Sequence, residues 1–198
     1  MKKISKTDLS RIFKRELKFL SDGILNISNP YHFFYLSTLK NKNVTSRTIV
    51  LRHVKQNPLS IYFNADYRSP KIKQLESNSK CSALFYDNKR KMQLRSDCEA
   101  IINHKNNISK TIWEETPLQS RKCYMGEYAP SQNLREWHPN IPLEYLKKDP
   151  EKSDSESGYD NFTVVKLNIN HLDVLELHHD GHIRFSVDSS GKLSFIAP

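Results

Sequence analysis

The chain has 198 residues, 37% of them hydrophobic and including nine Tyr and nine Phe, which suits one domain with a packed core and excludes disorder of the whole chain. Lys and Arg number 31 against 22 Asp and Glu, a formal net charge of +9 that favours an anionic ligand or partner. Five glycines and no GxGxxG or GxxxxGK(S/T) string argue against a Rossmann dinucleotide site and a P-loop, so any nucleotide is held differently.

The first element in chain order is an amphipathic helix over about 6–22. Leu9, Ile12, Phe13, Leu17 and Leu20 share one face between Thr7 or Asp8 as cap and Gly23 as stop. The first 21 residues carry Lys2, Lys3, Lys6, Arg11, Lys14, Arg15 and Lys18, and the helix's cations read as a solvated face. No apolar run there is long enough for a signal peptide or a membrane span, so a soluble, cytoplasmic protein is expected. Tyr31–Leu39, Arg47–Val54 and Ser60–Asn64 read as strands of an antiparallel meander, separated by Lys- and Asn-rich turns. A short helix follows from Ser69 to about Ser79 with Ile72 and Leu75 inward, then a hairpin of Cys81–Tyr86 and Lys91–Ile102 across Asp87 to Arg90. Helical patterns return at Ile108–Thr116 and Gln119–Met125. Residues 131–160 are a polar insertion in which Lys147–Tyr159 reads as a mobile loop. Phe162–Ile169, Val174–Leu177, Ile183–Val187 and Leu193–Ile196 return to strand. Many short strands, few helices and no βαβ rhythm predict a mainly β fold, a β-barrel with peripheral helices, as one domain over 1–198.

Three segments carry the chemistry. Ser46 to Arg52 alternates cations and hydroxyls with apolar β-branched residues, as a strand does when one face packs on a core and the other meets a charged ligand. Tyr67-Arg68-Ser69-Pro70-Lys71 places cations and a hydroxyl at a helix start: Ser69 suits the N-cap and Pro70 the first helical position. The free N–H groups and positive helix end there favour phosphate. Gln93-Leu94-Arg95 adds a donor, an acceptor and a further cation. Cys81, Cys98 and Cys123 are an odd number without CxxC spacing and read as free thiols. His178-His179-Asp180-Gly181-His182 matches no standard zinc spacing and reads as a turn, so no metal is expected; Trp113 and Trp137 read as packing residues.

With RTIVLR at 47–52, YRSPK at 67–71 followed by Gln74-Leu75, FYDNKRKMQLR at 85–95 and the closing His182-Ile183-Arg184-Phe185 in order, the chain resembles the FMN-binding split-barrel family of pyridoxamine 5′-phosphate oxidase. The resemblance implies a six-stranded split β-barrel and a homodimer with FMN at the subunit interface. It implies that Arg47, Arg68, Ser69 and Lys71 hold the FMN phosphate and that Thr48, Ile49, Val50 and Leu51 run beside the isoalloxazine ring. Gln93 would meet the pyrimidine edge, Arg52 or Arg95 would stabilise the reduced flavin, Asn64 would join the cofactor set, and Arg184 would reach the site from the partner subunit.

The substrate clamp of the true oxidases falls on Arg52, Trp113, Pro117 and Arg121, with His182 from the closing motif. Trp113 and Pro117 cannot grip phosphate, Arg121 would substitute only in part, and Asp180 lies near the position of a substrate arginine. Cys98 stands where the family usually has glycine. Vitamin B6 oxidation is therefore not the expected activity. The expected function is an FMN-dependent oxidoreductase moving a hydride between flavin N5 and a small substrate or nicotinamide cofactor, in either direction. Two other classes stay open: a non-catalytic flavin or haem/tetrapyrrole binder, and, less favoured, a basic nucleic-acid binder.

Overall fold

The computed structural model describes residues 4–198, so Lys2 and Lys3 lie outside the described residues. Helix α1 spans Lys6–Gly23. Its cap is Ser5 rather than Thr7 or Asp8: the Ser5 hydroxyl accepts from the Asp8 N–H, and the Asp8 carboxylate accepts from the Ser5 N–H at 3.0 Å. The buried stripe of Leu9, Ile12 and Leu20 also contains Glu16, 1% exposed. Its charge is tolerable there because Arg90 Nη1 donates to both carboxylate oxygens at 2.8 and 2.9 Å, with Tyr31 Oη at 2.7 Å and Arg15 Nε at 2.8 Å.

The strands are β1 (Phe33–Lys40), β2 (Asn43–Val50), β3 (His53–Gln56), β4 (Leu59–Asp66), β5 (Lys80–Asp87), β6 (Met92–His104), β7 (Phe162–Glu176), β8 (Ile183–Asp188) and β9 (Leu193–Phe195). They form one sheet ordered β2-β1-β5-β6-β7-β4-β3, with β8 beside β7 and β9 beside β8. Among the described residues the sheet has nine strands, against the six that the resemblance implies. The expected meander is also corrected: β2 and β4 do not pair. The Arg47–Val54 segment breaks at Leu51-Arg52, where the Leu51 N–H donates to His32 O at 2.8 Å and the Arg52 N–H donates to Tyr62 O at 2.9 Å. One extended segment thus leaves β1 and joins β4. The strand order begins at β2 and ends at β3, so the sheet is not closed by hydrogen bonds. At the other end of the chain, two expected strands fuse into the 15-residue β7. The class is mainly antiparallel β with peripheral helices, a split barrel.

Two compact units divide the chain: the first takes the residues up to Phe63, Asn78–Ile101 and Lys166–Pro198, the second Asn64–Ser77 and Ile102–Val165. The first unit's core gathers Leu9, Leu20, Leu36, Leu51 and Ile61 around an aromatic chain in which Tyr31, Phe85, Phe34 and Phe63 have successive ring centroids 5.6, 5.1 and 6.1 Å apart.

The second unit carries α2 (Pro70–Ser77), α3 (Asn107–Glu115), α4 (Leu118–Arg121) and α5 (Lys152–Ser155). Its core is Trp113 and Phe162, with ring centroids 5.0 Å apart, covered by Tyr124 and Tyr159. The Lys147–Tyr159 segment is not an irregular loop. It folds into α5 and a 3-10 turn over Glu156–Asn161, burying Ser155 and Gly158. A Cβ on Gly158 would lie 3.1 Å from both Trp113 and Met125, so close approach there needs glycine. Trp113 packs as expected, but Trp137 is 87% exposed and does not. Among the described residues no helix is long and apolar enough to cross a membrane.

Candidate functional site

In the first unit the antiparallel register sorts the expected cofactor residues by face. Residues directly opposite one another share a face, and faces alternate along each strand. Val50 lies opposite Phe33, Thr48 opposite Tyr35, Tyr35 opposite Leu84, and then Leu84 opposite Arg95 and Tyr86 opposite Gln93. Thr48, Val50, Gln93 and Arg95 therefore occupy one outer face, together with the exposed rings of Phe33, Tyr35 and Tyr86. Arg184 joins them through a shared acid. The carboxylate of Asp173, 1% exposed, accepts from Arg95 Nη2 at 2.6 Å and from Arg184 Nε and Nη2 at 3.0 and 2.7 Å. Burial acts to raise the Asp173 pKa, but the Arg184 and Arg95 bonds outweigh it and hold the group below the usual carboxylate range. Two cations on one anion leave net positive charge beside an aromatic surface. Such a face suits a flat anionic ring.

The remaining residues of that segment divide differently. Ile49 and Leu51 are buried, so only their backbone could border a ligand. Arg52 is exposed, and its side chain has no hydrogen-bond or ion-pair partner among the described residues. Arg47 departs from expectation. It lies on the inner face, opposite Leu36, where its Nη1 donates to the Thr38 hydroxyl at 2.6 Å and to Leu36 O at 3.2 Å, and its Nη2 to the Thr45 hydroxyl at 2.8 Å. The alternation that puts Ile49 inward puts Arg47 inward with it, and desolvation lowers its pKa.

The second unit holds the other expected phosphate residues. Pro70 opens α2 as expected. The Ser69 hydroxyl, however, donates to Asp66 O at 2.6 Å and receives Lys71 Nζ at 3.2 Å. Arg68 is engaged by the Asp66 carboxylate, through Nε at 3.1 Å and Nη2 at 2.7 Å, and by the carbonyls of Gly126 and Glu127. Asn64 carries the clearest mark of a missing partner: its Oδ1 is buried and accepts no hydrogen bond among the described residues.

Two expected substrate residues belong to the core instead. Trp113 is 1% and Arg121 2% exposed. Arg121 donates to Glu156 Oε1 at 2.8 Å, Ser155 Oγ at 3.1 Å, Thr116 O at 3.0 Å and Glu114 O at 3.2 Å, and its guanidinium carbon lies 4.7 Å from the Trp113 ring centroid. Neither side chain is available to a substrate. His182 is exposed in the turn between β7 and β8, where its Nδ1 accepts from the His178 N–H at 3.1 Å. Asp173 and Asp66 escaped the sequence reading. Their signal was an acid just outside a predicted strand, Asp66 two residues after Asn64 and two before Arg68, and Asp173 just before Val174.

Residues 13–104 match the family model described as pyridoxamine 5′-phosphate oxidase, FMN-binding domain. No curated protein matches the sequence. By fold the chain is similar to a pyridoxamine 5′-phosphate oxidase-related FMN-binding protein from Nostoc punctiforme, with a TM-score of 0.69 at 16% identity, covering 100% of both chains. It is also similar to PhzG from Burkholderia lata, crystallised with tetrahydrophenazine-1-carboxylic acid, with a TM-score of 0.64 at 14% identity over 96% of this chain and 92% of that one. A pyridoxinephosphate oxidase-family protein from Clostridium acetobutylicum, related to a general stress protein, gives a TM-score of 0.52 at 12% identity over 93% and 97% of the two chains. By its sequence over residues 13–104 and by its fold, the chain resembles the FMN-binding split-barrel family of pyridoxamine 5′-phosphate oxidase.

Proposed function

We propose that this chain binds FMN and works as an FMN-dependent oxidoreductase of the pyridoxamine-oxidase-like group, as one functional domain that dimerises. The family match carries this reading, because residues 13–104 include every motif from Arg47 to Arg95. The side chains fit the group. FMN offers hydrogen-bond donors to the orphaned Asn64 Oδ1, and its phosphate suits the Lys71 ammonium and the positive end of α2. Its ring suits the face of Thr48, Val50, Gln93 and Arg95. Bound FMN would supply hydride acceptance or donation at N5.

The chain's own part is binding, orientation and charge. Gln93 presents an amide with both a donor and an acceptor. Arg95 and Arg184, oriented by Asp173, add positive potential where a reduced ring carries negative charge. Lys71 and the Ser69–Pro70 helix start fix the phosphate end. The exposed Phe33, Tyr35 and Tyr86 favour a second copy on this face, which would exclude water from the ring. The burial of Trp113 and Arg121 argues against a vitamin B6 phosphate as substrate.

The test is a visible absorption spectrum of the purified protein after incubation with FMN and desalting. A retained flavin spectrum, with protein eluting at twice the monomer mass, is expected. A colourless protein would remove the cofactor, and a band from added haem instead would favour the non-catalytic tetrapyrrole reading.

A further inference from the structure

The inner face opposite the proposed ring surface holds a pair of thiols in a cavity. Cys81 on β5 and Cys98 on β6 are direct register partners. Antiparallel partners stand about 4.5–5.5 Å apart at Cα, within the window a disulfide spans. Both side chains lie on the face that also buries Ala83, Phe85, Leu94 and Ser96. They border a cavity of about 460 Å³ lined by residues from both faces of these strands, among them Thr38, Leu39, Val44, Asp97 and Asn170. Cys98 Sγ is 3.3 Å from the Ser96 hydroxyl. Cys123, the third cysteine, is exposed in the second unit.

We propose that Cys81 and Cys98 are a dithiol modification site, closing reversibly to an intrachain disulfide across β5 and β6 when a small peroxide enters this cavity. Pairing on adjacent strands means that no backbone segment has to travel to bring the sulfurs together. Their environments also divide the labour. The neighbouring Cys81 thiol lowers the Cys98 pKa against the opposing effect of burial, while Cys98 and burial raise that of Cys81. Cys98 is thus the more readily deprotonated of the two and the attacking sulfur, and Cys81 the resolving thiol.

In the first step the Cys98 sulfur attacks one peroxide oxygen, the O–O bond breaks, and hydroxide leaves with a sulfenic acid on Cys98. In the second, Cys81 loses its proton and attacks the Cys98 sulfur, the S–O bond breaks, and the leaving oxygen takes up protons as water. Two thiols and one hydrogen peroxide give one disulfide and two waters. Arg47, whose charge interacts with Cys81 on this same face, favours the thiolate needed in that second step. None of this requires a bound flavin, so it stands apart from the proposed function.

The test uses the full chain and its Cys123→Ser variant, treated with hydrogen peroxide, denatured, and titrated for free thiols alongside intact mass and peptide mapping. The full chain is expected to fall from three titratable thiols to one, and the variant from two to none. Each should lose the mass of two hydrogens, give a peptide joining Cys81 to Cys98, and recover fully in dithiothreitol. Unchanged thiol counts, a gain of two or three oxygens on Cys98, or a link involving Cys123 would each overturn the proposal. Cys98→Ser should leave Cys81 unable to form any intrachain link. Should that variant fail to fold, the peptide map of the Cys123→Ser protein decides alone.

Discussion

Arg121→Met separates a structural arginine from a substrate clamp. The methionine keeps much of the buried volume beside Trp113 but removes every donor, leaving Thr116 O, Glu114 O and Ser155 Oγ without the partner they have now. Breaking a fully buried ion pair typically costs about 3–5 kcal/mol, but the partner Glu156 is 50% exposed and its carboxylate can turn to water. That places the expected loss near the lower end, about 3 kcal/mol. For a domain of this size, that is a fall in Tm of about 6–12 °C. Arg121→Lys keeps the charge but not the planar fork and should recover only part of the loss, because one ammonium cannot reach acceptors spread over Thr116, Glu114, Ser155 and Glu156. Urea unfolding and calorimetry measure both variants, with FMN retention recorded on the folded fraction. A stability change below about 0.5 kcal/mol in Arg121→Met, or full recovery in Arg121→Lys, would refute a structural role for this guanidinium.

The remaining expectations concern the first unit's buried charges and the phosphate end. Glu16→Gln should destabilise by about 2–3 kcal/mol in urea unfolding, since Arg90 and Arg15 would face a neutral amide; a loss under about 0.5 kcal/mol would make that network ornamental. Asp87 is buried, which acts to raise its pKa, but bonds from the Arg90 backbone and side chain hold it below its ordinary 3.8. A group with a depressed folded pKa stabilises fully above its unfolded value, and that contribution is lost as pH falls through the folded one. Asp87→Asn should therefore lower stability near neutrality and flatten the slope below about pH 4, read as urea midpoint against pH; an identical acid limb would sink the assignment. Lys71→Ala should weaken FMN binding by about 1.5–3 kcal/mol in calorimetric titration, and an unchanged Kd would move the phosphate elsewhere. Asn64→Leu should weaken FMN binding while leaving or raising the Tm of the unliganded protein, because it removes a buried acceptor that has no partner.

Most of the fold is legible from local signals. Aromatic residues mark β1 and β5, alternation of apolar and polar residues marks β6, and the Ser69-Pro70 pair marks the start of α2. The errors have a common cause in pairing at a distance. Nothing local in Leu51-Arg52 says that one backbone N–H bonds before β1 and the next bonds to β4, yet that switch turns an apparent meander into an open barrel. The polar stretch 147–159 looks loop-like for the same reason. It is ordered by Arg121, some 34 residues from Ser155 in sequence, whose buried donors require those acceptors.

The site shows the same limit more sharply, because a cation's availability depends on where its acid lies. Arg68, Arg95 and Arg184 all read as ligand-binding residues. Arg68 is matched by Asp66, two residues away, whereas Arg95 and Arg184 share Asp173 at separations of 78 and 11 residues. Net charge cannot distinguish these cases: +9 counts the arginines without saying which are already neutralised. Arg52 is the contrasting case, exposed and without such a partner among the described residues. Arg47 adds a second ambiguity, since period two alone places it with Ile49 and Leu51, and only their burial identifies that face as the inner one. The motif RTIVLR therefore divides its two terminal arginines between opposite sides of the sheet, Arg47 beside the dithiol cavity and Arg52 in solvent. Under the proposed function a ligand on the outer face would meet Arg52 free of an acid and Arg95 and Arg184 as a pair on Asp173, whereas Arg47 is committed to Thr38 and Thr45.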